Sequence, residues 1–403
     1  MKIRLLKTPV LLKFDILKLN YVLRRDVNLL ILKLIGSYLL TPVLWLGILY
    51  VIISYNQRIN KERKQFRVAI NKDFYEGRNF IKYGLFFFVM GSLISMILGL
   101  TLPTNSVYIY QILVVLAFLI NGFSTTSMLL VMTAAGILEL VVPRFITFFG
   151  DVFPEISGPS WLLLIFISIL ADYYLTRNMK KHPLSPRIKS GKRGRNIATY
   201  LGRETVVFPL LVLIPSGTLS STLNFWPVFN IGNQKFSLIL FPIFISTSVK
   251  VIKRAKERVI QDKLKNIELL LGLTFVLIVL TKFMSKLFLI SLIILTVVSI
   301  FFEIKLRKKE KDANSWYVET DEGIRIISVQ PETPAAKMKL QPGDVILTCN
   351  NRVVNSEEEF YQALQLNSAY CHVKVRTYEG DLRIAESAIF MDSPHEIGLI
   401  LFH

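Results

Sequence analysis

The chain alternates stretches of about 20 apolar residues with short, densely basic segments, and this alternation limits its fold more than any other feature. A helix needs about 20 apolar residues to cross a hydrocarbon core. Runs approaching that length lie near 34–54, 83–102, 107–121, 126–143, 160–176, 205–224, 236–249, 267–281 and 286–303. The mean hydropathy of +0.47 agrees with this reading. Only 19% of the 403 residues are charged, whereas soluble domains carry about a quarter.

The basic residues are distributed unevenly. Segments 55–83, 176–204, 249–266 and 303–314 hold 29 Lys and Arg between them, and the alternate connections 101–109, 144–160, 225–235 and 281–286 hold four. Positive loops stay on the cytoplasmic side, so all four basic segments are expected inside. That parity requires four crossings between 84 and 176, two between 205 and 249, and two between 267 and 303. The expected architecture is an α-helical polytopic membrane bundle of about eight transmembrane helices plus an N-terminal apolar segment. The net charge of +19 then reflects topology and attraction to anionic lipids, and no nucleic acid partner is expected.

The first apolar run is ambiguous. Lys33 and Pro42 fit either a single crossing or a re-entrant hairpin over 34–54. Residues 1–33 form a basic N-terminal segment, with seven Lys or Arg in the first 28 positions, suited to lie on anionic lipid. No cleavable signal peptide is expected, because no small-residue cleavage site follows.

The composition changes after the multi-span region 34–303 and a basic linker at 304–314. Residues 315–403 carry acids, turn signals and strand-length apolar segments. Gly323–Val329, Asp344–Cys349, Cys371–Thr377 and Leu382–Ile389 read as strands, with a turn at Glu379-Gly380-Asp381. Asn355 or Ser356 followed by Glu357, Glu358 and Glu359 marks an N-cap and an acidic first turn, predicting a helix over 356–366. Cys349 and Cys371 are the two cysteines; a cytoplasmic location would keep them reduced.

Catalytic chemistry finds no support in the residues. The histidines are His182, His372, His395 and His403, all outside the apolar runs. The pair His395-Glu396 lacks the second histidine one helical turn later that a zinc protease requires. No Gly-x-Ser-x-Gly elbow or P-loop occurs. No metal or cofactor is therefore expected. Glu139 is an acid within an apolar run, and such residues are functional candidates, but a single acid among so many spans makes a poor ion pathway, and pairing with Arg144 near the outer end of a span is the preferred reading. A transporter with a regulatory domain and an inactive relative of a membrane protease remain the competing classes.

The segment Val329-Gln330-Pro331-Glu332-Thr333-Pro334-Ala335-Ala336-Lys337-Met338-Lys339-Leu340-Gln341-Pro342-Gly343-Asp344-Val345-Ile346-Leu347 resembles the core of bacterial PDZ domains. There, Pro-Ala-Ala opens a short helix and Gly-Asp starts the next strand. Asn350-Asn351-Arg352-Val353-Val354 and the 356–366 helix follow in the family's order. Lys339 departs from the pattern, which usually has a glycine there for a left-handed backbone. The resemblance implies an α+β PDZ-like domain that binds peptides by strand addition. Phe360, Tyr361 and Leu364 on the helix would line the core and groove. Glu396, Ile397, Gly398, Leu399 and Ile400 resemble the family's carboxylate loop and groove strand, displaced to the end of the domain as in a circular permutation. Gly398 is expected to let a ligand backbone approach without a Cβ in the way.

The order of parts resembles the MinJ-type division-site topological determinants of Gram-positive rods. A short apolar N-terminal segment is followed by the basic stretch Arg63-Lys64-Gln65-Phe66-Arg67, a multi-span bundle and one PDZ domain. The resemblance implies a non-enzymatic adaptor between DivIVA-like proteins at poles and septum and a MinC/MinD-like inhibitor. It also implies a peptide or C-terminal tail in the groove, enrichment at the septum and, as a further option, a homo-oligomer.

Overall fold

A computed structural model describes residues 31–121, 128–145, 158–181, 184–191, 194–215, 228–231, 234–313, 316–367, 369–377, 379–389 and 397–402. The basic segment 1–30 lies outside them.

The apolar body begins with a bent pair, α1 (Ile31–Leu39) and α2 (Pro42–Phe66), inclined at 57°. Pro42 occupies the first turn of α2, where its missing N–H would have no helical partner anyway. Next come α3 (Tyr75–Leu98), α4 (Thr104–Asn121), α5 (Met128–Phe145) and α6 (Gly158–Asn178), then, further along, α7 (Lys256–Phe283) and α8 (Leu287–Asp312). Four of these, α3, α6, α7 and α8, are long and apolar enough to cross a membrane, and the bent pair would be a fifth; α4 and α5 carry shorter apolar segments. Leu85, Leu93 and Ile97 on α3, and Ile293, Val297 and Phe301 on α8, are exposed. A helix facing water would place polar residues there. The last turns of α8 run through 304–312, so that basic stretch is helical.

The expected helices at 205–224 and 236–249 are corrected by the structure. Asn196–Pro215 and Gln234–Val251 are strands, β2 and β4, flanked by β1 (Ser185–Ser190) and β3 (Val228–Ile231) in the order β1-β2-β4-β3. Residues 216–224 lie outside the described set. The local chemistry favours strands. Thr205, Val206, Val207, Val212 and Ile214 are β-branched, and Pro209 and Pro242 fall mid-run, where a helix would break. The two prolines sit directly opposite each other in the β2–β4 pair. Sixteen paired positions from Tyr200 to Pro215 extend roughly 50 Å, longer than a hydrocarbon core of about 30 Å.

An open sheet in lipid would leave its edge amides unsatisfied, and along the apolar stretch α3, α4 and the connection between them satisfy several of these. Leu211 N donates to Ser92 Oγ at 3.1 Å, and Ser95 Oγ donates to Leu211 O at 2.5 Å. Phe244 N donates to the Tyr110 hydroxyl at 3.1 Å. Leu102 N and Leu213 N exchange bonds with Leu213 O and Leu100 O, each at 3.0 Å. Outward-facing amides recur every second residue. Leu211 and Leu213 place positions 209 and, opposite it, 242 in the outward set, and proline leaves no donor at either. Val206, Phe208, Leu210, Val212, Phe241 and Ile243 are fully buried in the body's core. Gly47 on α2 allows this closeness: a Cβ there would lie 2.2 Å from Val207 Cγ2.

The C-terminal domain contains β5 (Ile324–Val329), α9 (Pro334–Lys337), β6 (Val345–Cys349), β7 (Arg352–Val353), α10 (Glu357–Gln365), β8 (Tyr370–Arg376), β9 (Leu382–Ala388) and β10 (Leu399–Leu401). Each strand and helix read from the sequence falls within about a residue of these bounds. The sheet order is β10-β5-β6-β8-β9, with β7 pairing to β6. Asn350 and Asn351 both have positive φ, 48° and 65°, as the tight turn between β6 and β7 requires. Cys349 and Cys371 are free thiols buried in the domain core.

The domain is seated on the extension of β2 rather than hanging from α8. Ile197 forms an antiparallel bridge to Val318. Ala198 N donates to Tyr317 O at 2.9 Å and Trp316 N to Lys253 O at 3.1 Å. Arg195 pairs with Asp321 at 2.6 Å. Tyr200 and Tyr317 meet edge-on at 4.7 Å. A continuous buried cluster joins Phe66, Met179, Tyr200 and Val249 of the body to Tyr317, Ile327, Ile400 and Phe402 of the domain.

Candidate peptide-binding groove

Among the described residues β10 is the last strand of its sheet, so one side pairs with β5 and the other is an edge. Its register is Leu399 with Val329, Ile400 with Ser328 and Leu401 with Ile326, with an irregularity between Ile400 and Leu401. Strand direction alternates the side chains. Leu399 and Leu401 join the domain core with Ile397 and Phe360, while Ile400 faces the opposite side, against the apolar body.

The facing helix α10 begins where its sequence dictates. Ser356 Oγ accepts from Glu359 N at 3.2 Å, and Glu359 Oε2 accepts from Asn355 N at 2.8 Å. These two bonds satisfy amides that the helix start leaves open. Glu357, Glu358 and Glu359 place negative charge at the positive end of the helix. Phe360 and Ala363 are buried, and Tyr361 and Leu364 pack against the core while remaining half-buried. Glu357, Tyr361 and Leu364, spaced four and three residues apart, form one half-buried line along the helix.

Of the residues singled out in the sequence, Tyr361, Leu364, Leu399 and Ile397 come together around one core. Phe360 is fully buried, so it supports the groove from beneath instead of lining it. Ile400 offers its main chain and not its side chain, which the body covers. Gly398 requires a different explanation from the expected one. Its φ is +85°, and a Cβ would lie 2.2 Å from Thr333 Oγ1. The glycine is demanded by the chain's own packing, and its carbonyl already accepts from Gln330 N at 2.8 Å. Ile397 O likewise accepts from Ala335 N at 3.1 Å. Glu396 and the stretch 390–396 lie outside the described residues.

The PDZ-like helix α9 ends in a left-handed residue despite its non-glycine identity. Lys339 has φ 56°, Lys339 N donates to Ala336 O at 3.0 Å and Leu340 N to Ala335 O at 3.3 Å. This is the helix-ending turn that normally selects glycine. The backbone geometry is therefore kept at Lys339, with the strain a side chain brings.

A membrane-type helical body carrying a PDZ domain with a strand–helix groove is the class of protein that this fold defines. Residues 304–382 match the PDZ domain family. Over most of its length the chain is also similar to curated division proteins. It is 27% identical over 383 residues to the cell division topological determinant MinJ of Bacillus subtilis (strain 168), covering 92% of this chain and 94% of that protein. It is 26% identical over 378 residues to the probable cell division topological determinant MinJ of Lacticaseibacillus paracasei, covering 92% of this chain and 99% of the relative. The chain is thus a homologue of the MinJ-type cell division topological determinants, with a PDZ domain at its C-terminal end. These relatives are named as determinants and not as enzymes.

Proposed function

We propose that this protein is a non-enzymatic membrane scaffold that positions division-site regulators. In this reading 34–303 sits in the cell membrane, 304–314 continues the last span into the cytoplasm, and 315–403 is a cytoplasmic PDZ domain. The charge asymmetry of 29 against four Lys and Arg supports that orientation, with β2 and β4 making the two crossings first assigned to helices. The PDZ groove between the free edge of β10 and the Glu357–Tyr361–Leu364 line takes an extended peptide or C-terminal tail. Its partners are DivIVA-like and MinD-like proteins, and the protein is enriched at septum and poles. Tethering to the bilayer raises the groove's effective concentration for partners on the same membrane, so weak contacts suffice.

The observation that carries this reading is a PDZ domain seated on an apolar body in a chain whose relatives are named cell division topological determinants. The test is a fluorescent fusion of the full chain in dividing cells. Midcell and polar enrichment that is lost in Tyr361→Ala, with membrane association retained, is the expected result. Uniform membrane signal for the unaltered chain would sink the proposal.

A further inference from the structure

Outside the groove, β4, α5, α6, α7 and α8 line a partly open cavity of about 530 Å³, within the range of small-ligand sites. One wall is the edge of β4 that faces away from β2. Before the cavity, Phe244 N is taken by Tyr110; after it, Ile252 N and Lys253 N donate to Glu310 Oε2 at 3.0 and 3.2 Å. Between them Ser246, Ser248 and Lys250 share the outward direction of Phe244. Among the described residues no acceptor meets these three amides, although they line the cavity.

The opposite wall crosses a polarity boundary. Lys263 and Asn266 on α7 give way to Ile267 and Leu270, and Phe302 on α8 gives way to Glu303 and Arg307. Both helices therefore pass from apolar to charged at the end nearer the PDZ domain. The acids of the lining already have partners. Glu303 accepts from Arg307 at 3.2 Å, Glu310 holds the two amides, and Asp172 accepts from Thr176 Oγ1 at 3.5 Å. Lys263 Nζ reaches Thr247 Oγ1 at 2.5 Å and Ser248 O at 3.0 Å. Lys250 lies beyond the apolar part of β4. Burial first, then the like charges of Lys189, Arg187 and Arg307, hold its ammonium below the usual lysine range. Among the described residues this end of the cavity balances three acids with three bases, but it carries the three open amides and Lys250, which no acid pairs with, and the other end is hydrocarbon-like.

We propose that this cavity binds one anionic phospholipid. Its phosphate would accept from Lys250 and the amide of Ser248, and an acyl chain would lie along Leu270 and Phe302. The proposal rests on the membrane reading above, and a free phosphate ion offers the same head chemistry without the chain. The test uses the purified full chain in phosphatidylcholine nanodiscs, with bound lipid counted by native mass spectrometry after release. Retention of phosphatidylglycerol over phosphatidylcholine is expected. Lys250→Glu should lower it about tenfold, the loss of one charge-assisted bond, and Lys250→Arg should keep it. Leu306→Trp, which fills the cavity without altering charge, should lower it as well. Equal retention of both lipids, no effect of either loss variant, or displacement by millimolar inorganic phosphate would overturn the site. Each of those outcomes leaves membrane incorporation, and so the scaffold reading, intact.

Discussion

The hydroxyl of Tyr200, on the β2 extension of the apolar body, donates to the backbone carbonyl of Ile327 in the PDZ sheet at 2.8 Å. The bond is buried between two units that the sequence presents as separate. Tyr200→Phe removes the donor, leaves that carbonyl without its partner, and should weaken docking by about 1 kcal/mol. Limited proteolysis of the full chain near 313–320 should then proceed faster than in the parent.

The same interface predicts how the domain behaves alone. A 315–403 fragment uncovers Tyr317, Ile327, Ile400 and Phe402, all buried in the full chain. Such a contiguous apolar patch promotes association. Size-exclusion chromatography should show the fragment self-associating, and Ile400→Ser with Phe402→Ser should shift it towards monomer. A monomeric unaltered fragment would show that the patch is closed by the domain itself.

Prolines in the hairpin should behave against ordinary strand preference. Pro209→Ala or Pro242→Ala adds an outward N–H, at a half-buried position for 209 and a buried one for 242, and we expect destabilisation of about 1–3 kcal/mol for an unsatisfied donor. Ser92→Ala should act similarly by removing the acceptor of Leu211 N. Thermal unfolding in detergent reads both, and a neutral Pro209→Ala would mean that a neighbouring acceptor accommodates the new amide.

Glu204, just before the apolar stretch of β2, has its carboxyl pushed up to about 8 by burial. The hydrogen bond from Asn79 opposes the rise, and the charge of Glu76 adds to it. Between pH of about 4.5 and about 8 the folded protein binds more protons here than the unfolded chain, so stability falls as pH rises through that window. Glu204→Gln keeps an acceptor for Asn79 and removes the titration. It should flatten the decline in melting temperature from pH 5 to pH 8, and an unchanged slope would exclude Glu204 as its source.

Lys339 offers the opposite sign. Lys339→Gly relieves a left-handed residue that ends α9 and should stabilise the PDZ domain by about 1 kcal/mol. Hydrogen exchange at the Leu340 amide would report it, and faster exchange would contradict it.

The sequence made the PDZ domain legible almost residue by residue, because its turns and caps are local. Asn350-Asn351, Ser356 with Glu359, and Pro334-Ala335-Ala336 each encode a short-range bond. The hairpin was not legible from hydropathy, which measures burial and is blind to hydrogen-bond pattern. The available signal was the pair Pro209 and Pro242 among β-branched residues, too disruptive for two helices and tolerable in a covered sheet. Gly398 misled for a related reason. Its need for glycine is visible in the sequence, whereas the atom that imposes it, Thr333 Oγ1, is more than sixty residues away.

The covered hairpin also constrains how the protein is made. A helix satisfies its own amides and enters lipid singly, but β2 cannot, since Leu211 and Leu213 depend on acceptors supplied by Ser92 and Leu100. In the membrane reading proposed above, β2 would reach its place only with β4 paired and with α3 and the α3–α4 connection in position. Insertion would then not follow the order of translation one segment at a time: residues through 251 would have to be delivered before those after 196 are committed to the bilayer.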